Sequence, residues 1–182
     1  IKQHKQVQKI TTLHLDFISK LAKFKKNKNL LKDCFVWQEC QSKIILKDNK
    51  VISTLFSKIH DCAFANAEVY IHRIHGDFAP WNIHCDLHKL FVYDWEDSRA
   101  DGLLGDDLFH FIFRQAHYIG PWLGGDLIYK NISDQFSKLL EMTGLVADVD
   151  LTLGLWVVCE FIRDPSMHLQ ELAEALCAKG RL

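Results

Sequence analysis

No glycine and no proline precede Gly76. A stretch that long without the two strongest backbone breakers suits helices and plain strands. It cannot supply a glycine-rich turn that lets the backbone cradle a phosphate. Ile10–Phe24 and Asp33–Phe64 therefore read as helices, separated by a lysine-rich break at Lys25–Lys32. Leu13, Phe17, Ile18 and Leu21 fall at helical spacing and predict the apolar face of the first. The pattern changes at Glu68, where Glu68–Ile74 alternates as a strand does. A turn-like segment follows at His75–Trp81. Two short runs, Ile83–Cys85 and Leu90–Tyr93, flank the polar break Asp86–Lys89 and predict a β-hairpin.

Beyond Gly105 the chain reads as helical to its end. Asp107 opens Leu108–Ile119, and Asp126 opens a helix stopped by Gly144. Asp150 precedes a strongly apolar helix through Ile162, and Pro165 sits at the first turn of a last helix ending near Gly180. The expected fold class is α+β and mostly helical. A basic helical segment, residues 1–66, leads into a unit at 67–182, with a loop and hairpin at 72–97 and helices at 107–180.

Hydrophobic residues make up 48% of the 182, enough for one domain with a sizeable core. Residues 1–50 hold 12 Lys against 4 Asp or Glu, and the remainder is acidic, yet the whole sums to -1. That balance gives no ground for a nucleic-acid partner. The longest apolar run, Leu151–Cys159, is too short to span a bilayer, so no membrane partner is expected. The six cysteines form no C-x-x-C pair, and with no signal-peptide pattern they read as reduced thiols of a cytoplasmic protein. A first residue of Ile rather than Met reads as the start of a fragment.

The chemistry concentrates in His75–Asp107, HGDFAPWNIHCDLHKLFVYDWEDSRADGLLGDD. Asp77 is followed by Asn82 five residues on and by Asp94 twelve residues after that. If Ile83–Tyr93 turns back on itself, Asn82 and Asp94 meet at the open end of paired strands, which lie about 5 Å apart. An amide oxygen and a carboxylate there are hard ligands suited to Mg²⁺. Asp77, in the preceding loop, reaches the same opening and is placed to orient an attacking hydroxyl.

The form H-G-D-x-x-x-x-N followed by D-W-E resembles the aminoglycoside phosphotransferase and choline kinase superfamily, and its order matches the catalytic-loop logic of protein kinases. The resemblance implies a kinase-like C-terminal lobe with a small β-hairpin at its active centre. It implies that Asp77 is the catalytic base, that Asn82 and Asp94 hold Mg²⁺ bridging the phosphates of ATP, and that His75 and Gly76 shape the loop. Asp107 in G-D-D-L resembles the buried acid that tethers the catalytic loop, a part open also to Asp106. Glu96 adds an acid beside the metal site, where protein kinases carry glycine. The phosphate-cradling loop and strand lysine of the upper lobe have no counterpart before Gly76 and would come from outside these residues. The expected activity is transfer of the ATP γ-phosphoryl group to a hydroxyl of a small molecule: an aminoglycoside, an amino alcohol or a sugar. Glu96, Asp97, Asp101, Asp126, Glu160 and Asp164 as possible liners favour a cationic acceptor. The alternative is a non-catalytic kinase-like binding or scaffold module.

Trp81 and Trp95 flank the proposed site and suit stacking on an acceptor or packing under the loop, whereas Trp122 and Trp156 read as core. His72, His75, His84, Asp86 and His88 cluster in sequence and invite a zinc-hydrolase reading. The turn at Asp86–Lys89 and the missing H-E-x-x-H spacing argue against it.

Overall fold

The computed structural model describes residues 7–23, 27–44 and 49–178. The chain runs α1 (Thr12–Lys23), β1 (Asn27–Leu30), α2 (Phe35–Ile44), α3 (Lys50–Phe64), β2 (Glu68–Ile74), β3 (Ile83–Cys85), β4 (Leu90–Val92), β5 (Arg99–Leu103), α4 (Asp106–Tyr118), α5 (Gly125–Thr143), α6 (Val149–Arg163) and α7 (Met167–Ala178). Short 3₁₀ turns at Leu31–Asp33 and Pro80–Asn82 join neighbouring elements. The architecture is α+β and mostly helical, with two small antiparallel sheets, β1-β2-β5 and β3-β4.

The β3-β4 hairpin forms where expected, pairing Ile83 with Val92 and Cys85 with Leu90. The Asp86 carboxylate builds its turn by accepting the N–H groups of His88 and Lys89 at 2.8 and 2.7 Å. The three-stranded sheet was less visible. In place of the break expected at Lys25–Lys32, Asn27–Leu30 pairs with Glu68–Ile71 as an edge strand. A polar strand is tolerable at an edge, where one side faces water, and Lys28 there meets Glu68 across the pair. Phe24, Lys25 and Lys26 lie outside the described residues, as does Gly180. β5 contains Gly102, which in sequence reads as a turn. In the fold it lies against Ile74 of β2, so closely that a Cβ would overlap that side chain.

The single helix expected over Asp33–Phe64 is two. The second starts at Asn49, whose side chain accepts the N–H of Ile52 at 3.0 Å and so caps α3. The buried face of α1 is also rotated from its expected line: His14, Leu15, Ile18, Ser19 and Ala22 point inward, while Leu13, Phe17 and Leu21 are half-buried. Phe17 has a use for its partial exposure, because it stacks on Phe78 of the loop after β2 with centroids 5.4 Å apart.

α6 is buried from Leu151 to Phe161 on every side, which explains its unbroken apolar sequence. Phe109 of α4 packs edge-on against Phe136 of α5 at 5.0 Å and Trp156 of α6 at 5.9 Å, so the C-terminal helices share one aromatic core. Trp122 is only half-buried; it stacks on His168 at 4.0 Å and donates to Glu171. Cys40 of α2 and Cys159 of α6 are joined as a disulfide across 119 residues, correcting the reading of six reduced thiols; Cys34, Cys62, Cys85 and Cys177 are free. The pairing follows from α2 lying on α6, which no local cysteine spacing announces. Among the described residues no helix is long and apolar enough to cross a membrane.

Phe136 is fully buried at the meeting of α4 and α5. Phe136→Ala is expected to lower the unfolding free energy by about 3–5 kcal/mol in urea denaturation, with the far-UV circular dichroism of the folded baseline unchanged.

Candidate functional site

The loop that leaves β2 is held by one carboxylate. Asp107, 1% exposed in the first turn of α4, accepts the backbone N–H of His75 at 2.9 Å on Oδ2 and of Gly76 at 3.0 Å on Oδ1. Its place at a helix N-terminus favours a negative charge there. Burial acts the other way and, with the charge of Asp106 beside it, pushes the Asp107 carboxyl up to about 7 against the pull of the two N–H groups. Asp106 does not share the tether; it faces Arg99 at 3.3 Å. Gly76 has φ +91° and turns its α-carbon onto the carbonyl oxygen of Asp97. Any side chain would meet that oxygen, so the sharp exit from β2 requires glycine.

The loop carries Asp77 into a junction of three side chains. Asp77 Oδ1 lies 2.9 Å from Nε2 of His110, and Asp77 Oδ2 accepts Nδ2 of Asn82 at 2.8 Å. The same Asn82 nitrogen reaches the Asp77 carbonyl at 3.0 Å. His110 holds the Asp77 carboxyl below the usual carboxylate range, with Asn82 and Arg114 acting in the same direction. A carboxylate only accepts, so Nε2 of His110 carries the proton it donates. Arg114 Nε, 3.4 Å from that nitrogen, then faces a donor; its effect on the site is that of a nearby charge rather than of a hydrogen bond.

Asn82 and the D-W-E segment meet at the open end of the hairpin, one residue out of the expected register. Tyr93, not Asp94, pairs with Asn82 by donating its N–H to the Asn82 carbonyl at 2.9 Å. Asp94 follows in the left-handed region, φ +63°, with an exposed carboxylate to which no hydrogen bond or ion pair runs among the described residues. His75 is fully buried, and its Nε2–H donates to the Tyr93 carbonyl at 2.8 Å, tying the loop to this strand end. Burial keeps the His75 pKa below the ordinary histidine value, so the ring is neutral near pH 7. His75 therefore positions the loop and has no access to a reacting atom.

Two open clefts meet at Asp77. One, of about 290 Å³, is lined by Gly76, Asp77, Asp97, Arg99, His110 and Arg114, together with Glu160 and Arg163 of α6. The other, of about 440 Å³, is lined by Asp77, Trp81, Arg114 and Tyr118. Arg114 is the post between them. It donates to Glu160 at 2.6 Å, to Asp164 at 2.9 Å and to Tyr118 at 3.1 Å.

Of the residues singled out in the sequence, Asp77, Asn82 and Asp107 thus belong to one bonded unit, and Trp81 lines a cleft. Asp94 stands one residue beyond the hairpin pair, and Glu96 is exposed in the following turn. Trp95 lines neither cleft: its ring packs edge-on against His75 at 4.7 Å and near Phe17, and its N–H donates to Val92. It supports the loop. His110 and Arg114 went unread as site residues, whereas Glu160, read as a possible liner, does line the cleft. A signal for both existed, because Asp107, His110 and Arg114 are spaced three and four apart and share one face of α4. The histidine cluster disperses. His72 is buried in β2, His84 is exposed on β3, and Asp86 is consumed by its turn. Among the described residues no three His, Cys, Asp or Glu side chains converge as a metal-holding group. No protein-family model, curated protein or solved structure matches the chain.

Two outcomes follow from the tether. Between its ordinary value of 3.8 and about 7, folded Asp107 holds a proton that the unfolded chain has released. Its contribution to stability is therefore fully present below about pH 4 and is lost as pH rises to about 7. In ¹³C NMR the Asp107 carboxyl is expected to titrate near 7, with the His75 and Gly76 amide shifts moving at the same midpoint. Movement of those amides only below pH 5 contradicts it. Gly76→Ala is expected to cost about 2 kcal/mol or more of stability, measured by urea unfolding, because strain and overlap with Asp97 add.

Proposed function

We propose that this chain is the catalytic lobe of a kinase-like phosphotransferase of the aminoglycoside phosphotransferase and choline kinase kind. It moves the γ-phosphoryl group of ATP to a hydroxyl of a small molecule: an aminoglycoside, an amino alcohol or a sugar. The observation that carries this reading is the Asp77 carboxylate, held between His110 and Asn82 at the meeting of two clefts, on a loop whose backbone is tied to Asp107. In this reading the glycine-rich loop and strand lysine that grip the nucleotide come from outside these 182 residues, since the first glycine is Gly76.

The donor set fits Mg²⁺. Asn82 spends its Nδ2 on Asp77, which leaves the harder Oδ1 as its remaining group, and no hydrogen bond reaches that oxygen among the described residues. The Asp94 carboxylate is exposed on the adjoining strand end. Two oxygen donors with room for water and phosphate oxygens are what this cation takes. Bound there, it would supply positive charge against the charge on the transferred group.

The protein's own work is placement. The acceptor hydroxyl donates a hydrogen bond to Asp77 and its oxygen attacks the terminal phosphorus, while the bond to the leaving diphosphate breaks and the hydroxyl proton passes to the carboxylate. With its pKa lowered by His110, Asp77 is ionised at neutral pH but only weakly basic. That suits a loose transition state, in which the proton leaves late and alignment matters more than base strength. His110 fixes which way the carboxylate faces and limits its rotation.

In the natural protein, with Mg²⁺ and ATP and a panel of hydroxylated acceptors, Asp77→Asn is expected to lower kcat by about 10²–10⁴-fold at unchanged folding. Asp94→Ala is expected to raise the Mg²⁺ concentration needed for half-maximal rate by about tenfold or more. Phosphoryl transfer that is indifferent to both substitutions sinks the reading.

A further inference from the structure

Three arginines, one each from β5, α4 and α6, line the cleft of about 290 Å³ beside Asp77: Arg99, Arg114 and Arg163. They are not equally occupied. Arg114 is spent on Glu160, Asp164 and Tyr118. Among the described residues Arg163 pairs with Glu160 Oε2 at 3.6 Å, beyond hydrogen-bond range, and lies close enough to act on the charge of Glu39, which is itself bonded to Lys43 at 2.6 Å. Arg99 reaches Asp106 through a single nitrogen at 3.3 Å, and among the described residues its buried Nε has no partner. A guanidinium presents five N–H donors in a planar fork, and buried donors in native proteins are nearly always paired.

The acids of the same cleft do not absorb these donors. Asp77 is engaged by His110 and Asn82, and Glu160 by Arg114. Asp164, counted from sequence as a site for a cationic acceptor, is taken up by Arg114 as well. Asp97 remains, exposed at the rim. The side chains with unspent capacity are thus two guanidinium groups, and what two convergent guanidinium groups select is an oxyanion. The adjoining cleft of about 440 Å³ offers the rings of Trp81 and Tyr118, 5.9 Å apart, against which the apolar face of a sugar ring can pack.

We propose that the acceptor is a hydroxylated small molecule bearing an oxyanion, a carboxylate or a phosphate ester, which Arg99 and Arg163 bind while a hydroxyl of the same molecule meets Asp77. This rests on the phosphotransferase reading and narrows it to sugar-acid or sugar-phosphate acceptors, against aminoglycosides and amino alcohols. Arg99 and Arg163 do not touch the reacting hydroxyl; they set specificity.

The test is binding without nucleotide or Mg²⁺, so that its result stands apart from whether phosphate is transferred. Isothermal titration of the natural protein would compare D-glucuronate, D-glucose 6-phosphate, D-glucose and D-glucosamine. One of the two anionic sugars is expected to bind about tenfold or more tightly than glucose and glucosamine, and which one it is assigns carboxylate or phosphate. Arg163→Gln is expected to erase about tenfold of that preference while leaving the affinity for glucose unchanged. It sits at an exposed helix end, and so keeps the test decisive if Arg99→Gln, beside buried Asp106, fails to fold. Glucose or glucosamine binding as tightly as the anions overturns the proposal, as does absence of binding by all four, or an anion affinity untouched by Arg163→Gln. Asp77→Asn should retain the anion preference. If it does so while transfer proves insensitive to that substitution, the cleft assignment stands and the phosphotransferase reading fails alone.

Discussion

Asp107 sits where a charge is expensive and is kept there by two backbone N–H groups that have no other acceptor among the described residues. The exchange runs both ways. Without the carboxylate, the turn at His75 and Gly76 would leave one buried and one half-buried donor unsatisfied at the end of β2. Without the N–H groups, burial and the neighbouring Asp106 would leave no reason for the side chain to ionise. Everything functional hangs from this clasp. It fixes where the loop leaves the sheet, and so where Asp77 points. It anchors the loop to the first turn of α4, the helix that also delivers His110 and Arg114.

That shared helix face makes the site rigid in one direction. Asp107 holds the loop backbone, His110 holds the Asp77 carboxylate, and Arg114 separates the two clefts, all from successive turns of α4. α4 is in turn held by α5 and α6 through Phe109, Phe136 and Trp156. On the other side the loop is roofed by α1, where Phe17 stacks on Phe78 and buried His14 lies edge-on to Phe111 at 5.2 Å. Burial drops the His14 pKa to about 4, so the ring serves as an apolar-packed neutral group and adds no charge beneath the loop.

The elements legible in the sequence are those whose signal is local. The hairpin announced itself through Asp86–Lys89 between two short apolar runs. α5 and α6 showed through an acid at the start and through Gly144 or an unbroken apolar run. Asp77 and Asn82 stand five residues apart in one loop, a spacing the sequence shows directly, whereas Asp107 came only with the resemblance carried by G-D-D-L. What stayed hidden is what depends on a distant partner. β1 is a strand only because β2 offers it an edge, and β5 only because Gly102 lets Ile74 close over it. Cys40 meets Cys159 through packing of α2 on α6. Asn82 opposes Tyr93 rather than Asp94 because the strands pair Ile83 with Val92, and a one-residue shift of register cannot be counted from composition.

The charge of the cleft beside Asp77 illustrates the same limit. Counting acids along the sequence favoured a cation, because the count treats every carboxylate as free. In the fold, Glu160 and Asp164 converge on Arg114, from the next turn of α4 after His110, and the pair of acids becomes the seat of one guanidinium. Burying Glu160 at 2% exposure is tolerable only with that partner. The electrostatic character of a cleft is set by the groups left over after such pairings close. Here those are Arg99 and Arg163 on the wall and Asp97 at the rim, so the sign that reaches a ligand differs from the sign of the surrounding chain.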